Sequence, residues 1–384
     1  MATRRFLYID LDSFFACCEI LQDRQLLALP FAVGGAPQQR GVVSSASYAA
    51  RVHGVRSGMP MSRAVKLCPE LRVISPHFDA YRRRSQAVMD YLRSVSTEFE
   101  QRSIDEAVLD ITDLRDDSVV LAQNIQGAIR DRFLLPCSLG VANTIRTSKI
   151  AVEVGKQHGM PGKVPQAITV VREGTERQFL APLKVGIMPG IGPKMQASLL
   201  VAGITTLGDL ASWPMHEMQR RFGGYGLTVQ RYAQGIDPAA ITTTQQRKAI
   251  SQEHTFAQDI TDDAPLREMM QHQATNVSQE LQAKGMYARV VKLKLRWDDF
   301  TTVTRQATLA MPTDQVFPLL QVALLLFEQT WDADLPVRLI GVGVHGLQRT
   351  RQLQMWDMGE NEQSAFPHNH VTAQPLPLHT YLPD

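Results

Sequence analysis

At 384 residues the chain is about two to three times the usual domain length, so several cores are expected, each large enough to fold without staples. Its 44% hydrophobic and 20% charged composition, with 25 Gly and 21 Pro, is that of an ordinary soluble globular protein and excludes disordered, collagenous and disulfide-scaffold classes. Lys+Arg 40 against Asp+Glu 38 looks neutral, yet residues 40–84 carry nine basic side chains against two acids, Glu70 and Asp79, while the stretch from Asp357 onward holds four acids and no Lys or Arg. Such segregation suits a polyanionic partner.

The N-terminus MATRRFLYID turns acidic and strand-like too soon for a signal peptide, and the longest apolar run, Phe317 to Phe327, is short and interrupted by Gln321, so no membrane span is expected. The cysteines, Cys17, Cys18, Cys68 and Cys137, have no CxxC spacing, which suggests neither a zinc site nor a disulfide framework and points to a reducing, cytoplasmic compartment.

In chain order, Phe6 to Ile9 reads as a short buried strand ending at Asp10, and Asp12 is placed to N-cap a helix through Phe14, Phe15 and Ile20. A helical pattern from about Tyr81 to Thr97 leads through a turn to a strand over Ala107 to Ile111, and another helix precedes the small-residue strand Cys137 to Ala142. After Pro182 two short helices are expected around the turn Pro189-Gly190-Ile191-Gly192, with Pro193 at the first helical position. Residues 237–248 lack apolar periodicity and read as a linker. Beyond it Val291, Leu293, Leu295 and Trp297 alternate with Lys292, Lys294 and Arg296, Asp298-Asp299 turns the chain, and Thr301 to Leu309 makes the next strand. Past Leu347 the sequence is polar and is expected to be mostly disordered.

Asp10 at a strand end and the pair Asp105-Glu106, interrupting the apolar SIDEAVLDIT, invite a hard-cation site: Mg²⁺ takes oxygen ligands and is completed by water or phosphate. Strand neighbours face opposite sides, so Asp105 and Glu106 share one site only at a hairpin bend; on spacing alone a solvated turn is the better reading of the pair. Lys292, Lys294 and Arg296 recur about 6.7 Å apart, a spacing suited to a phosphate backbone, although lysine rows also protect sheet edges.

The segments YIDLDSFFACCE, GVVSSASYAARVHGVRSGMPMSRAVKLCP, FDAYRRRS, SIDEAVLDITD, SLGVANTIRTSKIA and PGIGPKM occur in the order seen in Y-family translesion DNA polymerases. Over about residues 4–348 the chain resembles that family, most closely its bacterial DNA polymerase IV branch. The resemblance implies an α+β right-hand polymerase: palm from residues 1–12 and 75–165, fingers 13–74, a helix-hairpin-helix thumb 166–236, linker 237–248, a β-rich little finger 249–348, and a tail 349–384. It implies low-fidelity, template-directed DNA synthesis from dNTPs without proofreading, by a monomer.

By the same resemblance Asp10, Asp105 and Glu106 match the carboxylates that hold two Mg²⁺ ions, one lowering the pKa of the primer 3′-hydroxyl and one holding the triphosphate. Asp12 matches a second acid of the first motif and is kept here as a cap. Phe15 matches the steric gate against a ribose 2′-hydroxyl, though by periodicity it reads as a core aromatic. Tyr48, Arg51 and Lys156 match triphosphate contacts. Tyr81 occupies a position near the nascent pair, with a core tyrosine as the other reading. Gly190, Gly192 and Lys194 would grip a duplex through backbone amides, and Lys292, Lys294 and Arg296 would track its phosphates. Gln352, Leu353, Met355 and Trp356 resemble a sliding-clamp-binding peptide, with Met-Trp in place of the more usual Leu-Phe. Asn143-Thr144 and Arg146-Thr147 depart from the family pattern, which leaves some template or triphosphate contacts in doubt, while Lys149 remains. Two other readings stay open: a non-catalytic DNA-damage scaffold of the same superfamily, which could lose its carboxylates, and a nucleotidyl cyclase, which would need neither the helix-hairpin-helix nor a basic little finger.

Overall fold

The computed structural model describes residues 4–243 and 247–349. The chain divides into two compact units, Met1–Thr244 and Gln245–Asp384.

The first unit begins with β1 (Phe6–Leu11), FLYIDL, buried along nearly its whole length. Ser13, at φ 48°, turns the chain into α1 (Phe14–Gln22). A three-stranded sheet follows, with β2 (Phe31–Gly34) at its centre, β3 (Val43–Ala46) antiparallel to it and, farther along the chain, β4 (Arg72–Ile74) parallel to it. Between β3 and β4 lie α2 (Tyr48–Val52) and α3 (Met61–Leu67), packed with the sheet on a small core that includes Val43, Val55, Met61 and Leu71.

Then come α4 (Phe78–Val95), the hairpin of β5 (Phe99–Gln101) and β6 (Glu106–Asp110), α5 (Ser118–Phe133), β7 (Cys137–Ala142), α6 (Ile145–Gln157) and β8 (Ile168–Val170). The larger sheet has the order β5-β6-β1-β7-β8, antiparallel except for β7 with β8. The strand period of two decides which helix meets which residue. Leu7, Ile9 and Leu11 pack with α1, α4 and α5, whereas Phe6 and Tyr8 pack with Ile145 and Val152 of α6. Asp10, in phase with Phe6 and Tyr8, therefore belongs to the α6 side. Gly140 of β7 allows the close approach of α6: a Cβ there would sit 2.1 Å from the Ser148 carbonyl oxygen.

The rest of the unit is helical: α7 (Glu176–Leu180), a 3-10 turn at Val185–Ile187, α8 (Pro193–Val201), α9 (Leu207–Ser212) and α10 (Met215–Ala233), around Leu180, Val185, Leu199, Leu207, Leu210 and Val229. Thr206 and Asp209 form a capping box on α9, and α10 kinks at Gly223, whose φ is 62°.

The second unit carries β9 (Ala249–Ile260), α11 (Asp263–Ala283), β10 (Ala288–Trp297), β11 (Thr302–Thr313), α12 (Val316–Glu328) and β12 (Val337–His345). Its antiparallel sheet has the order β11-β10-β12-β9, with α11 and α12 on one face over Val291, Leu293, Leu295 and Trp297.

Several expectations need correction. Asp12 does not cap α1: Ser13 holds the cap position, and the buried Asp12 carboxylate turns instead toward β7, accepting from the Ser138 hydroxyl at 2.9 Å and the Gln166 amide at 3.2 Å. The larger sheet runs on past residue 165, since β8 pairs with β7. Across residues 12 and 13 the core is shared: Phe14, Phe31 and Val33 lie in one cluster with Leu7 and Ile9. The element before the Pro189–Gly192 turn is a single 3-10 turn and not an α-helix. The start of the expected linker is anchored: Arg4 donates to the carbonyls of Asp237 (2.9 Å) and Ala239 (3.0 Å), and the Thr242 amide donates to Glu100 at 2.9 Å. The tail beyond residue 349 lies outside the described residues.

Candidate active site

Three carboxylates meet at one end of the larger sheet. Asp10 on β1 stands opposite Glu106 on β6 in register, and the Leu11 amide donates to the Asp105 carbonyl at 2.9 Å. The bend that sequence required is present, since the amides of Arg102 and Ser103 both donate to the Glu106 carbonyl. Ser103 organises it further: its hydroxyl donates to the Asp105 carboxylate at 2.5 Å and accepts from the Glu106 amide at 3.0 Å.

Helix α6 supplies two ammonium groups, two turns apart. Lys156 lies 2.5 Å from Asp10 and 3.6 Å from Asp12; Lys149 lies 2.9 Å from Glu106, whose other oxygen accepts from the Tyr8 hydroxyl at 2.8 Å. Burial pushes the Asp10 carboxyl up to about 7 against the opposing pull of Lys156, and Glu106 and Asp105 add to the rise. Burial also raises Asp105 and Asp12. Burial opposes the charged form of Glu106 too, but Lys149 and Tyr8 outweigh it and hold that carboxyl below its ordinary range. Crowded carboxylates that draw in two ammonium groups fit a divalent cation, and an all-oxygen donor set suits Mg²⁺.

Asp10 and Asp105 open onto a cavity of about 280 Å³ whose walls include Phe15, Tyr48, Arg51 and Lys156. Sequence placed all six in one site, and the fold brings them to one cavity; Glu106 faces the neighbouring cavity with Tyr8, Lys149 and Arg146. Tyr48 opens α2 behind the Ser47 cap, and the Arg51 guanidinium lies over the Tyr48 ring at 4.8 Å. The Phe15 ring stacks on Tyr81, with centroids 4.5 Å apart and planes 14° from parallel. Tyr81 itself is fully buried and donates to the buried Glu19 carboxylate, so it backs Phe15 and does not line the cavity.

At Pro189–Lys194 the backbone conformation depends on glycine. Gly190 has φ 99°, and a Cβ there would lie 2.4 Å from the Tyr225 hydroxyl, which donates to the Gly190 carbonyl at 2.8 Å. Gly192 caps α8 with open space around it, and Lys194 is exposed on the first turn. In the second unit Lys292, Lys294 and Arg296 share the sheet face opposite α11 and α12. β10 is an interior strand, which removes the edge-protection reading. The three are not equivalent: Lys294 reaches past Gly341 to Glu253 at 2.8 Å, and Arg296 donates to Thr302 at 2.8 Å. Gln352, Leu353, Met355 and Trp356 lie outside the described residues.

Sequence reading did not assign roles to Tyr8, Ser103, Ser138 or Glu19. Ser103 two residues before an acidic pair was the one local hint; the others act across strands and helices. The departures at the start of α6 also resolve. Thr144 caps the helix by accepting from the Thr147 amide at 3.1 Å, and Arg146 donates to the Pro189 carbonyl at 2.7 Å, covers the Tyr232 ring at 3.8 Å and pairs with buried Asp237 at 3.4 Å.

Residues 9–153 match the impB/mucB/samB family and residues 247–355 its C-terminal domain; residues 186–237 match the thumb domain described for DNA polymerase-iota. DNA polymerase IV of Dehalococcoides mccartyi (strain CBDB1) is 36% identical over 348 residues, covering 90% of this chain and 87% of the relative. The chain belongs to the Y-family of DNA polymerases. DNA polymerase IV of Staphylococcus aureus (strain MRSA252) is 34% identical, covering 92% of this Y-family chain and 98% of the relative. Among solved structures, a Y-family DNA polymerase chimera of Dbh and Dpo4 superposes with TM-score 0.78 at 22% identity, over 89% of this chain and 98% of the other. DinB from Sulfolobus solfataricus gives 0.59 at 22% identity over the same shares. The fold is thus that of a Y-family polymerase, with a helix-hairpin-helix thumb and a β-rich little finger. Among the described residues no helix is long and apolar enough to cross a membrane.

Proposed function

We propose that this DNA-directed DNA polymerase carries out low-fidelity translesion synthesis, extending a primer opposite damaged template bases without proofreading. The observation that carries the reading is the meeting of Asp10, Asp105 and Glu106 at one sheet end beside a cavity walled by Phe15, Tyr48, Arg51 and Lys156. Two Mg²⁺ ions held by these carboxylates would acidify the primer 3′-hydroxyl and offset charge on the leaving pyrophosphate. The primer oxygen attacks the α-phosphorus, and the bond to the bridging oxygen of pyrophosphate breaks. Arg51 offers the triphosphate paired N–H donors and Lys156 a point charge, once nucleotide draws its ammonium from Asp10. Phe15, fixed from behind by Tyr81, closes the space beside the sugar C2′ and so favours deoxyribose.

Helix α2, which brings Tyr48 and Arg51 to the cavity, is only five residues long. The amides at Gly190–Lys194 and the face bearing Lys292 supply contacts to DNA phosphates that carry no base information. The four cysteines are free, which supports a reducing cytoplasm. The peptide Gln352–Trp356 docks on a sliding clamp, so Leu353→Ala with Trp356→Ala removes clamp stimulation and leaves extension of short oligonucleotides intact. The deciding experiment is primer extension by the purified monomer with Mg²⁺ and single dNTPs on undamaged and N2-modified guanine templates. Insertion opposite the modified base supports the reading; extension confined to undamaged template overturns the translesion assignment.

A further inference from the structure

The structure assigns a Zn²⁺-binding site to His53, Cys68 and Glu70, at the far end of α2 from the nucleotide cavity. Three donors of different chemistry, an imidazole nitrogen, a thiol sulfur and a carboxylate oxygen, converge so that all lie within 4.8 Å of one another. Nothing in their sequence spacing announces this. His53 closes α2, Cys68 closes α3, and Glu70 stands in the turn that leads to β4, so it is the packing of the two short helices on their shared core that joins them.

The three donor atoms lie within 4.8 Å of one another, and one of their three separations is already near tetrahedral spacing. With Zn–N and Zn–O near 2.0–2.1 Å and Zn–S near 2.3 Å, neighbouring ligand atoms are separated by roughly 3.3–3.6 Å. His53 Nε2 and Glu70 Oε1 are already 3.7 Å apart. The remaining contraction falls on His53 and Glu70, whose side chains are exposed, while the buried Cys68 stays as the fixed point. Imidazole with thiolate prefers Zn²⁺ over Mg²⁺, which separates this site chemically from the all-oxygen cluster around Asp10. Three protein ligands leave the fourth position to water. Binding replaces the thiol proton of Cys68, so protons are released as metal enters. Because the metal would join the ends of α2 and α3, it would tie down the helix that carries Tyr48 and Arg51 and stabilise the folded fingers by mass action. The site is independent of the polymerase reading.

The test is a Co²⁺ titration of the full chain, reduced and stripped of metal, followed by thiolate-to-cobalt charge-transfer absorption. The Asp10 cluster has no sulfur and is silent in that band. The wild type should develop a saturable band at one equivalent, competed away by Zn²⁺. Cys68→Ser should lack it. His53→Ala and Glu70→Ala, at exposed positions that should not disturb folding, should each weaken Co²⁺ binding at least about tenfold, or about 1.4 kcal/mol. No band in the wild type, an equal band in Cys68→Ser, or unchanged affinity in both exposed-ligand variants would each overturn the assignment.

Discussion

Asp10 and Glu106 stand directly opposite each other on antiparallel β1 and β6, yet each is held by a different lysine of the same helix, Asp10 by Lys156 at 2.5 Å and Glu106 by Lys149 at 2.9 Å. The two ammonium groups balance a carboxylate cluster that burial makes costly to keep charged. A divalent cation would take over that balance and free the lysines for anionic substrate.

Asp105→Asn or Glu106→Gln should therefore lower primer extension by at least about a thousandfold, because ligation of the ion contributes several kcal/mol to the transition state. DNA affinity, measured by fluorescence anisotropy, should change by less than about threefold, since phosphate contacts lie elsewhere. Substantial extension by both variants would sink the catalytic assignment.

Phe15→Ala should raise the ratio of ribonucleotide to deoxynucleotide insertion efficiency by roughly tenfold or more, the range that one steric contact in a pocket can supply. The substitution also removes the stack on Tyr81, worth about 0.5–1.5 kcal/mol, so a fall in Tm should accompany it. A lower Tm with an unchanged ratio would make Phe15 a packing residue and not a gate.

Replacing Lys292, Lys294 and Arg296 together with Ala should weaken DNA binding on every sequence and flatten its salt dependence by about 0.9 log-log units for each lost phosphate contact. The internal pairing refines this expectation. Lys294 already faces Glu253, so Lys292→Ala should cost more affinity than Lys294→Ala, and Glu253→Ala should tighten binding. A slope that stays the same in the triple variant shows that this face does not touch DNA.

Arg146→Ala should destabilise the first unit by roughly 2–3 kcal/mol, because it leaves the Asp237 carboxylate buried without its guanidinium partner. Combining it with Asp237→Asn should cost less than the sum of the single changes, read from chemical denaturation as a double-mutant cycle. Strict additivity would show that Arg146 and Asp237 are not energetically coupled.

Local pattern was legible from the sequence alone. Strand and helix periods follow from backbone geometry, so FLYIDL, the alternation from Val291 to Trp297 and the small-residue strand Cys137–Ala142 could be read directly, and the ordered motifs carried the family resemblance and its acidic residues. Partners across the chain could not be read that way. Asp12 has the composition of a helix cap, but the register of β1 with β7 turns it toward Ser138. Arg146 and Thr147 looked like lost contacts until the packing of α6 showed one holding Pro189 and the other closing a helix cap. His53, Cys68 and Glu70 have no metal-ligand spacing at all and meet only because α2 and α3 end side by side. The division has one physical cause. Dihedral preference and side-chain period act over a few residues, whereas strand register and helix packing are settled by burial summed over a whole core, and the site's electrostatics depend on the second.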